Sequence, residues 1–153
     1  MIFTSQRIIT IEEMDLALEI RRQVFIQEQG VDPKEEIDDF DIIEKINDTV
    51  IHVLVFENNK PIATGRLLLD SPENEYAHIT RVAVLQEYRK KGAGRAVMLW
   101  LQNMAKQTGR NGITLAAQTH AIAFYEKLGY KTRGAIFLDA NIEHRWMDLV
   151  FDN

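Results

Sequence analysis

The chain has 153 residues, 46% of them hydrophobic and 27% charged, with no cysteine and a formal net charge of −5. The length fits one domain, expected over residues 1–153, with enough apolar material for its own core. The missing cysteine excludes disulfides, thiolate metal sites and a cysteine nucleophile, and no uncharged run reaches membrane-spanning length, so a cytoplasmic setting without a membrane partner is expected.

Residues 2–10 predict a first strand. "TIEEMDLALEIRRQVFIQEQG" predicts a helix opening at Thr10 or Ile11 with acids in its first turn and stopping at Gly30. Met14, Leu18, the stem of Arg21, Phe25, Leu16, Ile20 and Val24 keep helical spacing, so one face of this helix covers a sheet. "DPKEEIDDFD" reads as an acidic link, irregular or briefly helical. Glu35, Glu36, Asp38, Asp39 and Asp41 in it are expected to form a solvated face, or to favour a cationic amine if they border a binding mouth. The runs "TVIHVLVFE", "KPIATGRLLLD" and "EYAHITRVAVL" predict an antiparallel meander with turns at "NN" and "SPEN". Arg66 and Arg81 fall in these otherwise apolar runs, where a cation needs a carboxylate partner or an acidic ligand. "GRAVMLWLQNMAKQTGRNG" predicts a helix, "ITLAAQ" a strand, "HAIAFYEKLG" a helix ended by Gly129, and "YKTRGAIF" with "IEHRWMDLVF" a closing strand pair. The expected fold is α/β, a mixed and mostly antiparallel central sheet with helices on both faces.

The cations concentrate in "RKKGAGR", between a strand and a helix. One short cluster is not the basic face that nucleic acid requires, so none is expected as a partner. Free backbone N–H groups at a helix N-terminus, glycines that let a ligand approach, and Arg89, Lys90, Lys91 and Arg95 suit a small anion. An ordinary glycine turn with solvated charges is the alternative. The turn lacks the Lys-Ser or Lys-Thr pair of a nucleotide triphosphatase loop and the third glycine of the dinucleotide fingerprint.

The pattern R-x-x-G-x-G at Arg89, Gly92 and Gly94, after the strand "VAV" and before "FYEKLGY", resembles the GNAT superfamily of N-acetyltransferases. "FIQEQGVDPKEEIDDFD" and "AAQTHAIAFYEKLGY" further resemble its small bacterial ElaA-like branch. The resemblance implies acetyl-coenzyme A as acetyl donor. Val82, Ala83 and Val84 would offer backbone groups to its pantetheine arm, and Arg89, Lys90, Lys91, Gly92, Ala93, Gly94 and Arg95 would wrap its pyrophosphate. Phe124 and Tyr125 would stand beside the cofactor groove, and Gln118 would replace an asparagine that in many relatives bonds the arm.

Acetyl transfer from a thioester to an amine needs a neutral amine and a proton for the departing thiolate. The resemblance, which places the tyrosine of "YEKLG" near the cofactor sulfur, makes Tyr125, on a helical face with Ala121, Phe124 and Leu128, the candidate acid, and a core aromatic is its alternative role. His78, Glu28 and His120 are candidate bases, each also readable as an ordinary surface or hydrogen-bonded residue, and deprotonation through water needs none of them. His52 and His144 stand too far from both motifs in sequence to be assigned, and four scattered histidines predict no metal site. The implied activity is direct transfer to an amine, on a small molecule, peptide or protein, in a ternary complex. The alternative is a non-catalytic acyl-coenzyme A binding module on the same fold. A homodimer is left open.

Overall fold

Thr10 fixes where the first helix starts. In the computed structural model, which describes residues 1–70 and 74–152, β1 (Phe3–Arg7) is followed by α1 (Ile11–Arg21). Thr10 Oγ1 accepts the Glu13 backbone N–H at 3.1 Å and Glu13 Oε1 accepts the Thr10 N–H at 3.0 Å, a reciprocal capping box. The helix then widens into a π-helical stretch, Arg22–Glu28, and ends at Gly30, whose φ of +73° suits glycine. Its buried side is Met14, Ala17, Ile20, Arg21 and Val24. Leu16, expected on that side, is instead 43% exposed.

Six more strands follow: β2 (Val50–Glu57), β3 (Lys60–Leu68), β4 (Tyr76–Val84), β5 (Gly112–Gln118), β6 (Lys131–Asp139) and β7 (Ile142–Val150). They form one seven-stranded sheet in the order β1-β2-β3-β4-β5-β7-β6, antiparallel except between β4 and β5. Asn58 and Asn59 take positive φ at the β2–β3 turn, as a tight hairpin requires. The turn expected at "SPEN" lies, apart from Asn74, outside the described residues.

Between β4 and β5 come α3 (Ala93–Gln107), and after β5 the short α4 (Ile122–Lys127). α3 buries Ala93, Val97, Met98, Leu101 and Ala105. It crosses β3 closely because Gly65 has no side chain: a Cβ there would lie 2.5 Å from Val97 Cγ1 and 2.9 Å from Leu101 Cδ1. The next residue, Arg66, points to the opposite face by strand alternation. There it meets Asp38 at 2.7 Å and Asp41 at 3.1 Å, so α3 and the acidic link lie on opposite sides of the sheet.

The acidic link is therefore not a solvated face. It folds as α2 (Pro33–Glu36) and a 3-10 turn, Asp39–Asp41, with Glu36 and Asp41 buried and Glu35 and Asp39 exposed. Arg21, 1% exposed, donates to Glu36 and to Asp41, and Arg81 donates to Glu36 at 2.9 Å. Three cations, Arg21, Arg66 and Arg81, thus meet three carboxylates, Glu36, Asp38 and Asp41. Burial opposes the charge on Asp41, yet the Arg21 hydrogen bonds and charge outweigh it and hold its pKa at about 2. The carboxylate partners expected for Arg66 and Arg81 are present, and the acids that supply them are those the charge pattern had put in solvent.

Two irregularities shape the centre of the sheet. β4 and β5 pair through three residue pairs, Tyr76 with Gly112, Ala77 with Ile113 and His78 with Thr114, and then part. On the other edge of β4 the register jumps from Thr80 opposite Arg66 to Ala83 opposite Thr64, leaving Arg81 and Val82 as a bulge with Arg81 at φ +58°. The Arg81 side chain, tied to Glu36, stands where that unusual backbone is held.

Candidate active site

A cavity of about 930 Å³ opens where β4 and β5 part. Val82, Ala83 and Val84 line one side, on the edge of β4 that β5 has left, so backbone amides there face the cavity instead of a strand. Gln118 lines the other side at the end of β5. The candidate anion turn closes one end. Lys90 and Gly92 take positive φ, Gly92 caps α3 without a side chain, and Ala96 is the first residue whose N–H reaches an acceptor in the helix, Gly92 O at 3.0 Å. The preceding N–H groups therefore carry the positive end of the helix dipole. Arg89, Lys90, Gly92, Gly94 and Arg95 line the cavity, whereas Lys91 is exposed outside the lining and Ala93 is buried in the core. A Cβ on Gly94 would stand 3.1 Å from Phe124 Cζ, so the missing side chain keeps the Phe124 ring against the turn.

Tyr125 lines the cavity from α4, 9% exposed, edge-on to Phe124 and to Tyr130. Burial pushes its pKa up to about 12, so the phenol is protonated at neutral pH. Tyr130 spends its hydroxyl on Gln102 Oε1 at 2.8 Å, while among the described residues no protein group bonds the Tyr125 hydroxyl. His78 lines the cavity at the last β4–β5 pair, its ring 5.7 Å from that of Trp146. Burial lowers its pKa below the ordinary histidine value, which keeps it neutral and able to accept a proton at pH 7. His120, exposed in the 3-10 turn Thr119–Ala121, also lines the cavity. Glu28 lies outside the lining: both its oxygens accept from Arg89, each at 2.8 Å, and Arg89 Nε donates to Val84 O at 3.0 Å.

Residues that sequence spacing did not single out complete the cavity. Trp146, Phe137 and His144 line it from β6 and β7, with Phe137 stacked between the other two at 5.4 and 5.9 Å. His144 reaches it because β7 pairs with β5, opposite Gln118, and its Nδ1–H donates to the Ile142 carbonyl at 2.7 Å. Gln29, at the end of the π-helical stretch, exchanges two hydrogen bonds with Gln118, of 3.0 and 2.8 Å. No local motif announces these, since each depends on a partner distant in sequence. His52 stays outside the site and donates Nε2–H to Phe40 O at 2.8 Å within the buried charge network.

The arrangement joins the candidate anion turn, an unpaired strand edge, a neutral phenol and a neutral imidazole around one cavity. The model of the acetyltransferase (GNAT) family matches residues 15–130. YyaT of Bacillus subtilis is 36% identical over 139 residues, spanning 91% of this chain and 90% of YyaT. The crystal structure of Escherichia coli ElaA superposes with a TM-score of 0.82 at 24% identity, over 96% of this chain and 99% of ElaA. An aminoglycoside 6'-N-acetyltransferase complexed with coenzyme A superposes with a TM-score of 0.74 at 18% identity, over 98% and 97% of the two chains.

Proposed function

The chain belongs to the acetyltransferase (GNAT) family, for which acetyl-coenzyme A is the acyl donor, and from that premise we propose that it transfers acetyl directly to an amine within a ternary complex. The observation that carries this reading is the buried, protonated Tyr125 lining the same cavity as the anion turn and the free edge of β4. In the proposed reaction the amine nitrogen attacks the thioester carbonyl carbon, a carbon–nitrogen bond forms and the carbon–sulfur bond breaks. The departing thiolate takes the Tyr125 proton. His78 takes the surplus proton of the amine, either directly or through water. Backbone N–H groups of Gly92 to Arg95, with Lys90 and Arg95, would meet the pyrophosphate charge, and the β4 edge at Val82 to Val84 would hold the arm. A chain without cysteine has no thiol on which to park the acetyl group, consistent with direct transfer.

The test is thiol release from acetyl-coenzyme A across a panel of small amines, peptides and protein substrates, with both substrates varied. Intersecting double-reciprocal lines are expected, and parallel lines would replace the ternary complex with a covalent relay. Binding of coenzyme A with no acyl transfer to any amine would leave the non-catalytic binding module standing.

A further inference from the structure

The charged lining of the cavity is divided between elements. The turn before α3 contributes the cations Arg89, Lys90 and Arg95, whereas the acidic link and the β6–β7 hairpin contribute the acids Glu35, Glu36 and Asp139. We propose that the link and the hairpin select an acceptor amine that carries a further cationic group and no carboxylate, an α,ω-diamine in its simplest form; this rests on the acyltransferase reading above and names its acceptor class.

Pairing decides which of these charges are open to a ligand. Arg81 also lines the cavity, but it is spent: its Nε donates to Glu36 Oε2 at 2.9 Å and to Glu36 O at 3.1 Å, and its Nη2 lies 3.7 Å from Asp38. Glu36 is neutralised in turn by Arg81 and Arg21. Glu35 and Asp139 are exposed, and among the described residues neither carboxylate has an ion-pair or hydrogen-bond partner. The uncompensated charge on both walls is therefore negative. A carboxylate on the acceptor would find no free cation there and would be repelled by both acids, whereas a second ammonium would be drawn to them.

His144 supplies an independent observation of the same polarity. It is only 8% exposed, yet it lines the cavity. A carbonyl oxygen can only accept, so the bond from Nδ1 to Ile142 O places the ring proton on Nδ1. Nε2 of the neutral ring is left as a lone pair with no protein partner among the described residues. The ring is held by its stack on Phe137 and by the pairing of β7 with β5. A buried lone pair fixed in this way calls for an N–H from the ligand. Strand alternation puts Phe137 and Asp139 of β6 on one face with Ile142, His144 and Trp146 of β7, all of them in the cavity lining. The hairpin thus offers an apolar floor for an alkyl stem, an acceptor for an N–H and a carboxylate for a second ammonium.

The experiment measures thiol release from acetyl-coenzyme A with a graded series of α,ω-diamines, each beside the monoamine and the ω-amino acid of the same chain length. At the best length the diamine should exceed the monoamine in kcat/KM by about 2- to 5-fold, and the ω-amino acid by more. Glu35→Gln combined with Asp139→Asn, both at exposed positions, should bring the diamine down to the monoamine without moving the thermal midpoint. His144→Phe keeps a ring against Phe137 and should raise the diamine KM by roughly 3- to 10-fold, with coenzyme A affinity unchanged. Equal or better turnover of the monoamine or the amino acid overturns the proposal. A diamine preference that survives both carboxylate substitutions overturns it too, as does an unchanged KM in His144→Phe. If coenzyme A binds and no amine is acetylated, it is the acyltransferase reading that fails. Calorimetry of the diamines and monoamines on the coenzyme A-bound protein then decides the ligand class: tighter diamine binding that the double variant loses supports it, and equal or absent binding overturns it.

Discussion

In the proposed reaction, the chemistry depends most narrowly on the Tyr125 hydroxyl. Tyr125→Phe keeps the ring and its contacts with Phe124 and Tyr130. The expected outcome is a kcat lower by about 10²- to 10⁴-fold with an unchanged coenzyme A Kd, measured where acyl transfer limits turnover. Equal losses in rate and affinity would mark Tyr125 as packing alone. With His78 as the proposed base, the pH dependence follows from its burial: its lowered pKa lets the neutral form persist below the ordinary histidine range, and the acidic limb of kcat/KM should have its midpoint below 6.5. His78→Gln should abolish that limb. At this scale the sequence was informative where a residue's demand is local. A guanidinium in an apolar strand announces that it needs an acid, as Arg66 and Arg81 do, but not that Asp38 and Glu36 are those acids. His144 and Gln29 were invisible because strand pairing and a meeting across 89 residues place them.

Glycine positions decide how the elements approach one another. Gly65→Ala would thrust a methyl into Val97 and Leu101 and push α3 away from β3, so it should cost about 1–3 kcal/mol in chemical unfolding without any change in the site's side chains. Gly94→Val acts at the cavity instead. Its side chain would displace Phe124 and fill the approach to the α3 N-terminus, so coenzyme A affinity should fall at least tenfold in a folded protein, read by calorimetry. Most element boundaries were legible from caps and periodicity: Thr10 and Gly30 bracket the first helix, and the two asparagines mark the hairpin. The π-helical widening after Arg21 was not, because nothing in "RQVFIQE" distinguishes it from an ordinary helix. The solvated-face reading of the acidic link fails at Glu36 and Asp41 because charge pattern alone does not reveal that Arg21, one helix away, turns its guanidinium inward, whereas Glu35 and Glu36 do border the cavity, as the alternative expected.

Across the whole molecule, the charge network and the sheet seam govern stability and shape. Arg21→Met would leave Glu36 and Asp41 buried without their main partner and should cost about 3–5 kcal/mol. His52 gives the fold its acid sensitivity. Burial holds its folded pKa near 4 against 6.5 for the exposed ring, so between those values the unfolded chain binds a proton that the folded chain refuses. Unfolding free energy should therefore be flat above about pH 6.5 and fall as pH drops toward 4, by up to about 3 kcal/mol, in urea titrations. His52→Gln should reduce that decline and leave the share of His78, whose pKa burial also lowers, while Asp41 adds its own loss only below about pH 4. The order of strands and helices could be read from the chain, and so could the place of the glycine turn, but the parting of β4 from β5 could not: register along a parallel pair leaves no mark in composition. That parting makes the sheet a notched plate whose root is the three residue pairs from Tyr76 to His78. From His78 to Val84 the arm beyond the root is about 20 Å at roughly 3.3 Å per residue, so each degree of rotation at the root swings the far end by about 0.3 Å. Gly112 sits at that root, where an added Cβ would strike the Leu149 carbonyl oxygen. A single methyl there, touching nothing in the cavity, would misalign the whole far end through leverage alone.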